Sequence, residues 1–513
     1  NGYPNRIIQP DGSSIKLTCD ERGNITSITD SYDKTIYYGY DELNRVIQIT
    51  DNVGNVTTYQ YDERDHLLVL TNPEGAVRRY TYNVSGKPVK IMDFDGSVVL
   101  IDYNEMGMPS KIIDKEGHET RLRYDMAGNL SEEIYPTGSV SVYQYDRNDR
   151  LIHVKLLASQ QDEKASRVVE YIYDPVGNLL EARAGDGQEI MSVTKYEYDV
   201  LNRVSVIIDP AGGRTTYTYD KICGKVNSIT DAAGNQCTFH YNKMGELIEK
   251  KDIRGNITRY EYNALGKLTA ITDAASRTTR HYYLLGGRLE KTVYPDNSYM
   301  EYEYDNLGRL KKKTDQNGYS MIYNYDCMGR VISVKSSTGQ EKIYVYDFMG
   351  NIVSVTDANG NETKYSYTKN GKLKEVIDAM GNKTEYAYDS ADRLIYICQC
   401  GQTGESDRIT EYERDVFGQI ECIRDALGGE EHFIYDALGR MTEKTDREGL
   451  TTAYTYTEDE KLESILYSDG RRSEFKYTPL RQLAAVKDWL GEIRIERDSK
   501  GDPISITDQK GRI

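Results

Sequence analysis

The chain carries 82 Asp and Glu, six His and seven Cys, and each of these types can do chemistry when spacing brings it together. Paired carboxylates perform general acid–base work or cleave glycosides. Here nearly every Asp recurs in one local pattern, Asp-x-x-Gly, so the carboxylates read as turn formers rather than as a catalytic pair. The histidines, His66, His118, His153, His240, His281 and His432, are scattered, and two of them, in Phe239-His240-Tyr241 and before Tyr282-Tyr283, fall at strand positions. No His-Glu-x-x-His pair, serine nucleophile elbow, Walker loop or dinucleotide fingerprint occurs, so the histidines are read as structural. The cysteines, at 19, 223, 237, 327, 398, 400 and 422, are odd in number and irregular in spacing, which argues for free thiols rather than a disulfide framework. Cys398, Cys400 and Cys422 could belong to a metal site, but no fourth ligand stands at a zinc-like spacing. No dense calcium-binding run is present. The expectation is no catalytic residue, no cofactor and no metal.

Composition narrows the class further. Tyr occurs 45 times against six Phe and one Trp, and only 38% of residues are hydrophobic. A large globular protein draws its core from Leu, Ile, Val and Phe; this chain leans on an aromatic ring that carries its own polar handle. The net charge of -17 and a pI near 5.1 argue against a nucleic-acid partner and suit a protein that holds a basic guest. No apolar run approaches the roughly 18–20 residues that span a membrane. The chain opens at Asn1 without a signal peptide and closes at Asp508-Gln509-Lys510-Gly511-Arg512-Ile513, inside a repeat, so it is expected to be a fragment of a longer polypeptide.

The elements that position these residues come from one recurring motif, Tyr-x-Tyr-Asp-x-x-Gly-Arg-Leu. Good copies carry Tyr302, Tyr304, Asp305, Gly308 and Arg309, then Tyr323, Tyr325, Asp326, Gly329 and Arg330, then Tyr344, Tyr346, Asp347 and Gly350. The position after the second tyrosine recurs about 23 times, mostly at steps of 21 residues. Half a period later stands a second motif, Ile-Thr-Asp-x-x-Gly-Asn, as at Ile49–Asn55 and Ile229–Asn235. Each repeat is therefore strand, turn, strand, turn, with Asp bonding ahead to the backbone and Gly supplying positive φ. Between the turns β-branched and aromatic residues alternate, and no sustained helical period appears. The two tyrosines of Tyr-x-Tyr share a strand face, and rows of them are expected to stack across neighbouring strands, worth about 0.5–1.5 kcal/mol per pair beyond burial. About 45 strands at roughly 4.8 Å make a ribbon on the order of 200 Å long, which must coil. The period lengthens near 153–170, 180–195 and 396–411, read as longer hairpin loops.

This motif at this period closely resembles the YD-repeat, or RHS-repeat, family over essentially all 513 residues. Leu284 and Thr368 take the Asp position in two copies, and Asn44 and Asp392 stand where Gly is expected; Asn still tolerates the left-handed conformation. The resemblance implies a spiralling antiparallel β-sheet that winds into a hollow shell. It also implies exported bacterial carriers, as secretion-system effectors or wall-associated proteins, in which the shell encloses a C-terminal toxin released by aspartyl self-cleavage. Relatives such as the animal teneurins use the shell for adhesion. The self-cleaving segment has an Asp-Pro-x-Gly-Leu signature; Asp174-Pro175-Val176-Gly177-Asn178 is similar but has Asn178 in place of Leu, and it falls in register as an ordinary turn.

The reading is an all-β array of tandem ~21-residue hairpins over residues 1–513. It is expected to be a non-catalytic piece of a secreted or cell-surface β-shell. The expected partner is an enclosed toxin or effector domain of the same polypeptide, outside this fragment. The alternative is an adhesive surface protein with a carbohydrate or cell-surface ligand.

Overall fold

Tyr302-Glu303-Tyr304-Asp305 leads into a turn that shows how the repeat folds. The Asp305 carbonyl accepts the Gly308 N–H at 3.0 Å, and the Asp305 N–H donates to the Arg309 carbonyl at 2.9 Å. One carboxylate oxygen of Asp305 also accepts the N–H groups of Leu307 and Arg309, both at 2.9 Å. Gly308 closes the turn at φ +79°, where a residue with a Cβ is strained. This is a type I turn closed by a left-handed residue, the common three-residue hairpin loop. The half-period turn at Asp315 repeats it, with Gly318 bonded back to the Asp315 carbonyl at 3.1 Å. Leu284 and Thr368 keep the same backbone bonds without the Asp carboxylate. Asn44 and Asp392 adopt the left-handed conformation at φ 62° and 59°.

In the computed structural model, which describes residues 5–160, 167–401 and 406–512, these hairpins form 47 strands of one antiparallel sheet, against the 45 or so expected. No helix occurs among the described residues. Most strands are five or six residues long, so the ribbon is about 20 Å wide. In each Tyr-Asp hairpin the register slips by one residue; Glu303 pairs with Lys312 and Tyr304 with Leu310, which leaves Lys311 as a bulge.

The sheet has two unlike faces. One carries both tyrosines, and the first of the pair lies opposite a branched aliphatic residue in many repeats, as Tyr59 opposite Leu70, Tyr323 opposite Val334 and Tyr344 opposite Val355, but opposite Lys313 at Tyr302. The other carries the residue between the tyrosines, in several repeats opposite a small buried one, as Asn324 opposite Ser333 and Glu261 opposite Ala270. Fully buried hydrophobic side chains are few, Val140, Ala270 and Cys398 among them. Cohesion therefore comes from cross-strand pairs rather than from a thick apolar core.

The described residues correct two expectations. Rather than Tyr–Tyr stacks, the ring partners the structure gives the tyrosines are guanidinium groups, lysines, His66 and, for Tyr467, Trp489 edge-on at 5.7 Å. Where the period lengthens, the extra residues largely extend the strands. Around 180–195 the strands Leu179–Gly185 and Ile190–Tyr198 run seven and nine residues and are joined by a tight turn at Asp186. Near 153–170 and 396–411 the flanking strands also lengthen to seven residues, and the tips, 161–166 and 402–405, lie outside the described residues.

The array divides into two compact units, each made of separate arcs of the ribbon. The first combines Asn1–Asp102, Ile112–Gly117 and Thr258–Thr384; the second combines Tyr103–Lys111, His118–Ile257 and Glu385–Ile513. Within the first unit, residues about 250 to 275 apart in sequence meet. Asn52 donates to the Asn306 carbonyl at 2.7 Å, Lys34 to the Asp305 carbonyl at 2.8 Å, and Asn370 to the Asp114 carboxylate at 2.7 Å. Within the second unit, Asn235 donates to the Ser499 carbonyl at 2.7 Å and Arg254 pairs with Asp502. Each of these contacts joins a half-period Asp turn of the earlier arc to a Tyr-Asp turn of the later one. The two kinds of turn occupy opposite edges of the ribbon, so the arcs in each unit lie edge to edge.

Candidate functional site

The repeat motif assembles into a clasp that spans consecutive repeats. Asp305 receives the Arg309 Nε on its second carboxylate oxygen at 2.7 Å, which fixes the arginine over the turn. From there Arg309 donates to the Asp326 carbonyl of the next repeat at 3.1 Å and lies 4.4 Å from the Tyr325 ring centre. Tyr325 answers by donating its hydroxyl to the Leu310 carbonyl at 2.7 Å. The next clasp repeats the pattern. Arg330 binds Asp326 at 2.6 Å, reaches the Asp347 carbonyl at 2.9 Å, and covers the Tyr346 ring at 4.9 Å. Tyr346 donates to the Val331 carbonyl at 2.8 Å. Tyr304 closes the preceding clasp through the Leu289 carbonyl at 2.7 Å.

Each element of the motif thus has a place. Asp305, Asp326 and Asp347 hold turns; Gly308, Gly329 and Gly350 take φ of 79°, 83° and 90°. Tyr304, Tyr325 and Tyr346 lock one repeat to the one before, while Tyr302, Tyr323 and Tyr344 line the same face opposite Lys313, Val334 and Val355. An arginine over an aromatic face contributes about 0.5–1 kcal/mol at such partly exposed sites, and a hydrogen bond about 1 kcal/mol. Variants keep the geometry: His66 binds Asp62 at 2.9 Å and stacks on Tyr82 at 4.7 Å. At position 347, Asn351 replaces the arginine and binds the carboxylate at 3.0 Å.

Electrostatics follow from these bonds. The His66 hydrogen bond holds the Asp62 carboxyl down at about 2, well below its ordinary 3.8. Burial works to raise Asp305, but the Arg309 side chain and backbone bring it below the usual carboxylate range. Burial pushes the Tyr304, Tyr325 and Tyr346 hydroxyls up, so they act as neutral donors. A network of this kind bonds its own carboxylates internally and builds a scaffold.

Asp174-Pro175-Val176-Gly177-Asn178 is such a turn. Gly177 donates to the Asp174 carbonyl at 3.2 Å, and Asn178 Nδ2 holds the carboxylate at 2.9 Å. The cysteines are free thiols. Cys398 and Cys400 have sulfurs 3.5 Å apart and lie near Asp407, whereas Cys422 is grouped separately, with Glu430 and His432. That second group escaped the sequence reading, although the hairpin register carries its signal: around the Asp425 turn, Cys422 and His432 are paired residues.

Comparisons with known proteins accord with the repeat. The RHS repeat model matches residues 40–77, 124–156 and 435–472, and the teneurin YD-shell model matches 164–312 and 313–407. No curated protein matches the sequence. Among solved structures, one of a Photorhabdus luminescens Tc holotoxin pore with a mutated TccC3 is 13% identical over 97% of this chain and 32% of the other, with a TM-score of 0.49. The crystal structure of TcdB2–TccC3 is 13% identical over 99% of this chain and 34% of the other, with a TM-score of 0.41. The chain spans about a third of the length of the solved chains it matches.

Proposed function

Because the chain belongs to the RHS/YD-repeat family, we propose that it forms part of the wall of an exported β-shell that encloses and shields a C-terminal toxin or effector domain of the same polypeptide. The observation that carries this reading is the edge-to-edge docking in each unit. Half-period Asp turns of one arc bond to Tyr-Asp turns of the arc that follows, as Asn52 to Asn306 and Asn235 to Ser499. A single ribbon about 20 Å wide cannot surround a folded domain. Arcs that zip along their edges extend the wall without a new sheet. Clasps within an arc and edge contacts between arcs stiffen it in both directions.

In this role the chain acts by sequestration and does no chemistry itself. A folded enzyme behind a closed wall cannot reach its substrate. The net charge of -17 suits a basic guest. The test is limited proteolysis with intact mass on the complete natural polypeptide. A C-terminal piece that copurifies with the repeats and resists protease until they unfold supports the container. A tail digested at once overturns it and turns attention to glycan and cell-surface binding.

A further inference from the structure

Three neighbouring strands, Arg408–Arg414, Ile420–Arg424 and Glu430–Tyr435, place a chemically mixed patch on the face opposite the tyrosines. Cys422 pairs with Glu413 on one side and with His432 on the other. Arg424 lies opposite Glu411 and Glu430. We propose that Cys422, Glu430 and His432 form a binding site for a zinc-type divalent metal ion.

The geometry supports three ligands. A cysteine sulfur, a carboxylate oxygen and an imidazole nitrogen all lie within 4.8 Å of one another. Bond lengths of about 2.0–2.3 Å put tetrahedral zinc ligands roughly 3.5 Å apart, so side-chain rotation without backbone movement closes the set. The donors are graded in depth. Cys422 is 3% exposed and sits on the sheet floor, whereas His432 and Glu430 are half-exposed above it and already touch, Nε2 to Oε2, at 3.3 Å. A sulfur, nitrogen and oxygen set of this kind suits zinc better than magnesium or calcium.

Charge favours a cation here. Glu411, Glu413 and Glu430 surround one guanidinium, that of Arg424, at 2.9, 3.5 and 2.8 Å. Three carboxylates against one arginine leave the patch negative. On binding, the Cys422 thiol releases its proton to water, the metal takes the thiolate, and Glu430 exchanges its contact with His432 for the metal. Glu413, opposite Cys422 in the strand register, adds to that negative charge.

Cysteine is not required at this position for the fold. Equivalent positions in other repeats hold Ser333, Ser354 and Ser464, all buried. Cys422→Ser therefore removes the ligand and spares the sheet.

The test is a titration of the purified, reduced chain with Co2+ in a Cys398→Ser/Cys400→Ser background, which silences the other thiol pair. We expect uptake of one equivalent, with a thiolate-to-cobalt charge-transfer band and the visible bands of a tetrahedral site, displaced by Zn2+. Cys422→Ser abolishes the charge-transfer band, and His432→Gln, at a half-exposed side chain, weakens binding on the order of tenfold or more. The proposal is overturned if the background protein shows no such band. It is equally overturned if the band survives Cys422→Ser, or if folded His432→Gln binds Co2+ as tightly as its parent.

Discussion

Arg330 holds four partners at once: the Asp326 carboxylate, the Asp347 carbonyl, the Tyr346 ring and Glu74 of the other arc. Arg330→Met is therefore expected to lower unfolding free energy by about 1–3 kcal/mol, and Arg330→Lys to recover only part of it, because an ammonium cannot fork and stack together. Denaturant titration checks both. The opposite sign is expected at Glu460, an exposed residue held at φ 66° where most repeats have glycine. Glu460→Gly should stabilise by about 1 kcal/mol by relieving left-handed strain. The turn carboxylates set the response to acid. Asp62 titrates at about 2 when folded, against an ordinary 3.8, and Asp41, Asp146 and Asp389 are shifted in the same direction. A depressed folded pKa contributes stability in full above the ordinary value, and that contribution is lost as pH falls through the folded one. The melting temperature should thus hold above pH 5 and fall between about 4 and 2; a flat profile to pH 2 would contradict the role given to these turns.

At the scale of the hairpin, the period dictates which edits the sheet tolerates. Deleting residues 305–325 removes one whole repeat and joins Tyr304 to Asp326, so every later strand keeps its direction. Deleting 305–314 joins Tyr304 to Asp315 and reverses all later strands, which sends their Tyr-Asp turns to the wrong edge. Circular dichroism and melting should show the first variant folded close to the parent and the second aggregated or strongly destabilised. This level of organisation was legible in the sequence, because Asp-x-x-Gly and Tyr-x-Tyr are local signals for a turn and for a strand face. The tyrosine partner was not legible. Alternation places Tyr325 on a face, but only the bulged register brings Arg309 of the previous turn over its ring. The lengthened strands Leu179–Gly185 and Ile190–Tyr198 were misread as loops because polar residues there pair across the hairpin as readily as apolar ones.

For the whole molecule, contacts between arcs tie each unit together, and these were invisible in the sequence. Nothing local in Asn52 announces a partner 254 residues away. With the seven native cysteines replaced by serine, Asn52→Cys combined with Asn306→Cys should form a disulfide on mild oxidation. Absence of the crosslink in folded protein would refute the edge pairing in the first unit. The candidate metal group lay between these extremes: its register was readable from the Asp425 turn, while its depth and charge needed the neighbouring strands. On the proposed function, a clasped wall shields what it carries. The most direct measurement is the protease protection of the C-terminal segment of the complete natural polypeptide, compared with an Arg309→Met/Arg330→Met variant. Protection that is strong in the parent and falls in step with the loss of wall stability is the predicted result. A segment cleaved equally fast in both would contradict sequestration by this wall.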